Sequence, residues 1–151
     1  LKRFKFHAKP SYYKTFARLA AAKLARLTDI RKYDIVIGIP LHRSREHERG
    51  YNQARLVSKA ISRELGLPDG SGIVKRIKDT KAQSLLDKRN RALNVRDAFS
   101  VKAPEKIKGK SVLLVDDIMT TGSTLEECGR ILKQAGADRV MALVVATGRN
   151  C

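Results

Sequence analysis

Val112-Leu113-Leu114-Val115-Asp116-Asp117-Ile118-Met119-Thr120-Thr121-Gly122-Ser123-Thr124 is the stretch on which the fold turns. Its first four residues are apolar and two are β-branched, the pattern of a buried strand. Two carboxylates close that run, and hydroxyls with one glycine follow. Beyond them Leu125, Cys128, Leu132 and Ala135 recur at helical spacing. Ser123 and Glu126 stand three apart at the helix start, a capping-box pattern. The segment predicts a strand over 111–115, an acidic pair at its end, a small polar loop, and a helix over 123–135. Such a loop aims backbone N–H groups and the positive end of a helix dipole at one small volume, which suits a phosphate. The carboxylates beside it suit sugar hydroxyls and a hard cation such as Mg²⁺. Phosphate, diol and metal together describe a ribose phosphate. A plain βα turn would need only one capping side chain here.

Working outward, Ile35-Val36-Ile37-Gly38-Ile39 predicts a second buried strand, followed at once by Pro40-Leu41-His42-Arg43. Ala54, Val57, Ile61 and Leu65 predict a helix closed by Gly66 and Pro68. Residues 72–77 and 98–101 read as short strands. Residues 79–94, polar and basic, read as a long mobile loop with a helical turn. A last strand is expected over 139–146, with Gly136 ending the helix before it. Near the start, Tyr12, Phe16, Leu19, Ala20, Leu24 and Leu27 form one apolar stripe of an amphipathic helix. Strands alternating with helices give an α/β fold with a mostly parallel twisted sheet, whose ligands sit beyond the carboxyl ends of the strands.

The chain has 151 residues, with 32 Lys and Arg against 15 Asp and Glu, a net charge of +17. That length suits one domain with a real core. The unit divides into a basic helical flank over 1–33 and a core over 34–151. No apolar run approaches membrane length and no signal-peptide core is visible, so the cytoplasm is the expected location. Only Cys128 and Cys151 are present, without a CxxC pair, which argues against a zinc knuckle or a disulfide. The excess charge is uneven. Residues 1–33 hold ten cations against one acid, and residues 75–96 hold eight against two, while residues 110–151 balance at five each. Clustering of this kind points to a polyanion partner, and a solvated basic face is the alternative. Lys2, Arg3, Lys5, Lys9, Lys14, Arg18, Lys75, Lys81 and Lys88 are the candidate nucleic-acid contacts.

The 112–124 stretch resembles the phosphoribosyl-pyrophosphate (PRPP) signature of type I phosphoribosyltransferases. Two further patterns resemble the ComF branch of that family, which includes GntX-type proteins. One is Arg49-Gly50-Tyr51-Asn52-Gln53; the other is the series Arg76, Thr80, Gln83, Leu86, Arg89, Arg91, Asn94 and Ala98-Phe99. The resemblance covers roughly residues 34 to 147. Many ComF relatives carry a four-cysteine zinc ribbon that is not in this sequence; a processed fragment and a member without the ribbon are both open readings. By resemblance, Asp116 and Asp117 hold the ribose hydroxyls and help place Mg²⁺, as the catalytic and metal residues. Ile118, Met119, Thr120, Thr121, Gly122, Ser123 and Thr124 complete the PRPP loop. Pro40, Leu41, His42 and Arg43 correspond to the pyrophosphate loop, with His42 either a general base or simply a hydrogen-bonded loop histidine. Arg76, Lys78, Thr80, Gln83, Arg89, Arg91 and Asn94 would belong to a flexible lid.

The function implied is a competence factor that binds PRPP–Mg and single-stranded DNA in DNA uptake, with other competence or DNA-processing proteins as partners. Tyr12, Tyr13 and Phe16 could stack bases. Two alternatives stand beside it: a salvage enzyme transferring the ribose phosphate to a nucleobase, and a PRPP-sensing regulator. The oligomeric state is open, a dimer included.

Overall fold

The computed structural model describes residues 12–80 and 93–148. Helix α1, Tyr12–Leu27, is followed by a 3-10 turn at Ile30–Lys32 and strand β1, Ile35–Gly38. Helices α2, Arg43–Arg49, and α3, Gln53–Leu65, come next. Strands β2, Val74–Arg76, and β3, Phe99–Val101, precede a 3-10 turn at Pro104–Lys106. The chain continues with β4, Ser111–Met119, helix α4, Ser123–Gln134, and β5, Arg139–Thr147.

Strands β1, β4 and β5 form a parallel sheet in the order β1-β4-β5. Residues 68–70 extend it beyond β1, because Val36 N–H donates to Pro68 O (2.9 Å) and Gly70 N–H donates to Val36 O (2.7 Å). Parallel neighbours need long crossovers, and helices supply them: α2 and α3 between β1 and residue 68, α4 between β4 and β5. Side chains alternate across the sheet. Ile35, Ile37, Val112 and Leu114 face Leu125, Cys128 and Leu132 of α4. Val36, Leu113 and Val115 face Ala17 and Leu24 of α1 and Val57 and Ile61 of α3. A sheet apolar on both faces and covered by helices on both is the stable arrangement for parallel strands. It also leaves the carboxyl ends of β1 and β4 side by side at one edge.

Four local expectations are corrected. First, β4 does not stop at residue 115; it runs through the acidic pair to Met119, paired with β5 as far as Met119↔Thr147. Second, Gly122 rather than Ser123 is the N-cap of α4, with no side-chain capping bond, so no capping box forms. Third, β2 and β3 lie outside the parallel sheet as an antiparallel pair, Val74↔Val101 to Arg76↔Phe99, packed through Val74 and Phe99 onto the α4 side. Fourth, the buried stripe of α1 is Ala17, Ala21 and Leu24, and Tyr12, Phe16, Leu19 and Leu27 are exposed. Small residues at 17 and 21 let α1 approach α3 closely, and of the larger apolar residues of the stripe only Leu24 turns inward.

Among the described residues, the parts of the two basic blocks on α1 and on the β2–β3 pair therefore cover opposite faces of the sheet. Cys128 is fully buried, and burial pushes its thiol up to about 12, so it serves packing and not thiolate chemistry.

Candidate functional site

The site is built at the carboxyl edge of β1 and β4. Ile39 N–H donates to Val115 O (2.9 Å), so residues 40–43 leave the sheet immediately beside Asp116. Asn52 fixes that exit with one amide: its Nδ2 donates to Ile39 O (3.1 Å), while its Oδ1 accepts from Arg55 N–H (3.1 Å) and caps α3. The side chain is buried, so both bonds are made away from water and define the path of the loop.

Asp116 and Asp117 are half-buried on the last part of β4. Asp117 N–H donates to Asp116 Oδ1 (2.9 Å), which orients the first carboxylate. The strand then gives way to only three residues of loop, 120–122, before α4. Gly122 sits at φ +83, and a Cβ there would meet nothing nearer than 3.8 Å. The backbone angle, not lack of space, therefore selects glycine. Thr121 Oγ1 and Ser123 Oγ are 3.0 Å apart, and Gly148 N–H donates to Met119 O (2.8 Å), tying the loop to the end of β5. Two carboxylates, three or more hydroxyls and the first turn of a helix thus share one edge. This donor set suits a phosphorylated diol, with the carboxylates the groups to share a Mg²⁺ with substrate oxygens. Among the described residues no group of three or more His, Cys, Asp or Glu could hold a metal by itself. A cation here would depend on oxygens from its ligand.

A second element reaches the same edge from β2. Arg76 stacks over the Phe99 ring, 5.3 Å from its centroid, and its guanidinium donates to Thr80 Oγ1. Burial pulls its pKa below the ordinary guanidinium range, Arg45 adds to the effect, and Asp116 opposes it. Among the described residues its buried Nε has no hydrogen-bond partner.

Residues just after β2 clamp the loop after β1. Ser44 Oγ–H donates to Asp79 Oδ2 (2.7 Å), His42 Nδ1 lies 3.6 Å from the same oxygen, and Arg45 Nε lies 3.8 Å from Asp79 Oδ1. Arg45 also donates to Thr80 O. His42 caps α2, its Nδ1 accepting from Ser44 N–H (3.4 Å) and lying 2.8 Å from Ser44 Oγ. That ring nitrogen is thus engaged in hydrogen bonding within the turn. The Ser44 hydroxyl above all, with His42 and Arg45, holds the Asp79 carboxyl below its usual range. The clamp should be intact at neutral pH and should open only as pH falls through that lowered value. Asp79→Ala is expected to speed hydrogen exchange at the amides of residues 43–46, with Asp79→Asn milder because its oxygen still accepts from Ser44. Unchanged protection in Asp79→Ala at neutral pH would show that the clamp does not order this turn.

The structure brings Asp116, Asp117, residues 118–124, Pro40, Leu41, His42, Arg43 and Arg76 to neighbouring positions. Lys78 is directed elsewhere, its Nζ donating to Arg96 O (3.0 Å), and Thr80 is buried. Asn94 is half-buried just past residue 92. Lys14 and Arg18 are exposed on α1, and Lys75 is exposed on β2. Gln83, Arg89, Arg91, Lys2, Arg3, Lys5, Lys9, Lys81 and Lys88 lie outside the described residues, as does most of the expected lid. Sequence reasoning missed Ser44, Arg45 and Asp79. The one available signal was Asp79 itself, a rare acid within a basic block.

The chain matches the phosphoribosyl transferase domain model over residues 6–151. It is 37% identical over 144 residues to Competence protein F of Haemophilus influenzae, covering 93% of this chain and 63% of the relative. It is 35% identical to DNA utilization protein YhgH of Escherichia coli, over 76% of this chain and 50% of the relative. The chain thus spans about half to three-fifths of these relatives. Among solved structures, a glutamine PRPP amidotransferase from B. subtilis aligns with TM-score 0.61 and 20% identity, over 90% of this chain and 26% of that one. A purine phosphoribosyltransferase from Pyrococcus horikoshii aligns with TM-score 0.53 and 20% identity, over 88% and 70%. At such identities the structural likeness speaks for the fold. The chain belongs to the phosphoribosyl transferase domain family, and its curated relatives lie in the ComF competence branch.

Proposed function

We infer that this protein holds PRPP with Mg²⁺ at the β4 edge and binds single-stranded DNA on its basic surfaces, as a cytoplasmic component of DNA uptake in natural transformation. The carrying observation is the junction of Asp116 and Asp117 with the Gly122 turn and the start of α4. In this reading the two carboxylates accept from the ribose 2- and 3-hydroxyls and share the metal. The hydroxyls and amides of residues 120–124 surround the 5-phosphate, where donors aimed at an anion act with little reorganisation. The metal would supply charge neutralisation of the pyrophosphate. Arg43 and Arg76 would add cations on its β1 side. The names of the relatives, competence and DNA utilization, support the cellular role, and the +17 charge supports a polyanion partner.

The test is PRPP consumption with each common nucleobase, run beside melting with and without PRPP–Mg²⁺. A melting shift without turnover is the expected result. Sustained turnover with one base would favour the salvage enzyme instead, and neither shift nor turnover would overturn PRPP binding.

A further inference from the structure

Strand β5 has β4 on one side and, among the described residues, no strand on the other. Its exposure reflects that position. Val112, Leu113, Leu114 and Val115 of β4 are buried, whereas no residue of β5 is, although Val140 to Ala146 are all apolar. Met141 is 42% exposed, and Ala142 beside it is exposed as well. The main chain of β5 alternates between the two sides. Arg139 N–H donates to Lys110 O (3.4 Å), and a parallel ladder repeats every second residue, so 139, 141 and 143 turn toward β4. The N–H and C=O groups of Val140, Ala142 and Val144 therefore point to the open side, where no described residue bonds them. Natural sheet edges are commonly blunted by charge, proline or a bulge. Residues 140–147 contain no charge, proline or glycine, and the register with β4 keeps one offset throughout, so no bulge turns the strand aside.

We propose that this edge pairs with β5 of a second copy of the chain, antiparallel about Ala142, joining two sheets into one. Ala142 then lies opposite the partner's Ala142, and Val140 opposite the partner's Val144, each pair exchanging its N–H and C=O. The occupant must be apolar on both faces, because Val140 and Val144 pack toward α4 while Leu143 and Val145 pack toward α1 and α3. β5 meets that requirement itself: set against its own copy, it opposes apolar to apolar at every position from 140 to 144. Charge selects the same occupant. Residues 110–151 hold five cations and five acids, so this part of a chain at +17 neither attracts a polyanion nor repels its copy. The one charge on the strand, Arg139, would stand about 20 Å from its counterpart, beyond a Debye length at physiological salt. This pairing is independent of the ligand reading above and uses none of its residues.

The test is sedimentation velocity of nucleic-acid-free protein over a range of chain and salt concentrations. The parent should dimerise by mass action, and added salt should leave the dimer unchanged or tighter, since it screens repulsion between two basic copies. Ala142→Lys sets two ammonium groups against each other at the symmetry axis and should raise the dissociation constant on the order of tenfold or more. Ala142→Pro should act in the same direction by removing an outward N–H, with no bond to β4 lost. Residue 142 is exposed, and an unchanged melting temperature at concentrations where the parent is monomeric would show that each variant folds. Ala142→Cys in a Cys151→Ser background locates the contact. Opposed residues of a hydrogen-bonded pair lie about 5.5 Å apart, within disulfide reach. Mild oxidation should therefore link two chains through position 142, and Arg139→Cys in the same background should give no link. A parent that stays monomeric at every concentration would overturn the proposal; slow hydrogen exchange at Val140, Ala142 and Val144 in that monomer would mean that the chain covers its own edge. A dimer that Ala142→Lys leaves intact and Ala142→Cys does not crosslink would overturn it equally.

Discussion

Replacing Asp116 and Asp117 together by asparagine is expected to abolish the rise in melting temperature given by PRPP and Mg²⁺. The amides keep the shape of the carboxylates and can still accept from hydroxyls, but they lose the charge a hard cation requires. At about 100-fold excess over Kd the parent should gain about 2.7 kcal/mol, which for a chain of this size is a shift of roughly 5–10 °C. Without ligand the variant should stay folded, because both side chains are only half-buried and asparagine keeps their shape. The loss of shift would then be a loss of binding and not of fold. An undiminished shift would move the ligand away from this edge.

Gly38→Ala should be a strongly damaging addition of a single methyl group. A Cβ there would lie 2.5 Å from Ser58 Oγ, 2.9 Å from Ala54 O and 3.0 Å from Ser58 Cβ. One of these is main chain of α3, which cannot yield without moving the helix against β1. Overpacking of this kind costs roughly 1–3 kcal/mol, or a melting temperature lower by roughly 2–10 °C. The displacement would also reach Asn52, which sits two residues before Ala54 and holds Ile39 O. PRPP affinity should therefore fall as well. Adding Ser58→Ala removes the shortest contact and leaves the one to Ala54 O, so rescue should be partial. Melting of Gly38→Ala at the parent temperature would mean that β1 and α3 have room to separate.

What could be read in the chain, and what could not, follows from the range of the interactions. Strand β4, helix α4 and strand β5 are legible because their apolar periods are local and strong. The acidic edge stands out because Asp116, Asp117 and the hydroxyls are consecutive. The side of α1 that is buried was not legible: Tyr12, Phe16 and Leu19 outweigh Ala17 and Ala21 in hydrophobicity, yet only alanines permit the close approach to α3. The capping box failed because a glycine at positive φ already starts α4, which makes Ser123 its first residue. Strand β2 pairs with β3 across a separation no local pattern encodes. Asp79 meets Ser44 across 35 residues, and nothing local to either residue announces the contact. The motif residues were visible; the side chains that hold them in place were not.

The most direct measurement is a crystal of the protein soaked with PRPP and Mg²⁺. Density should show the ribose hydroxyls against Asp116 and Asp117, the metal between those carboxylates and the pyrophosphate, and the 5-phosphate within residues 120–124. A sugar phosphate bound elsewhere, or none at that edge at saturating concentration, would contradict the assignment.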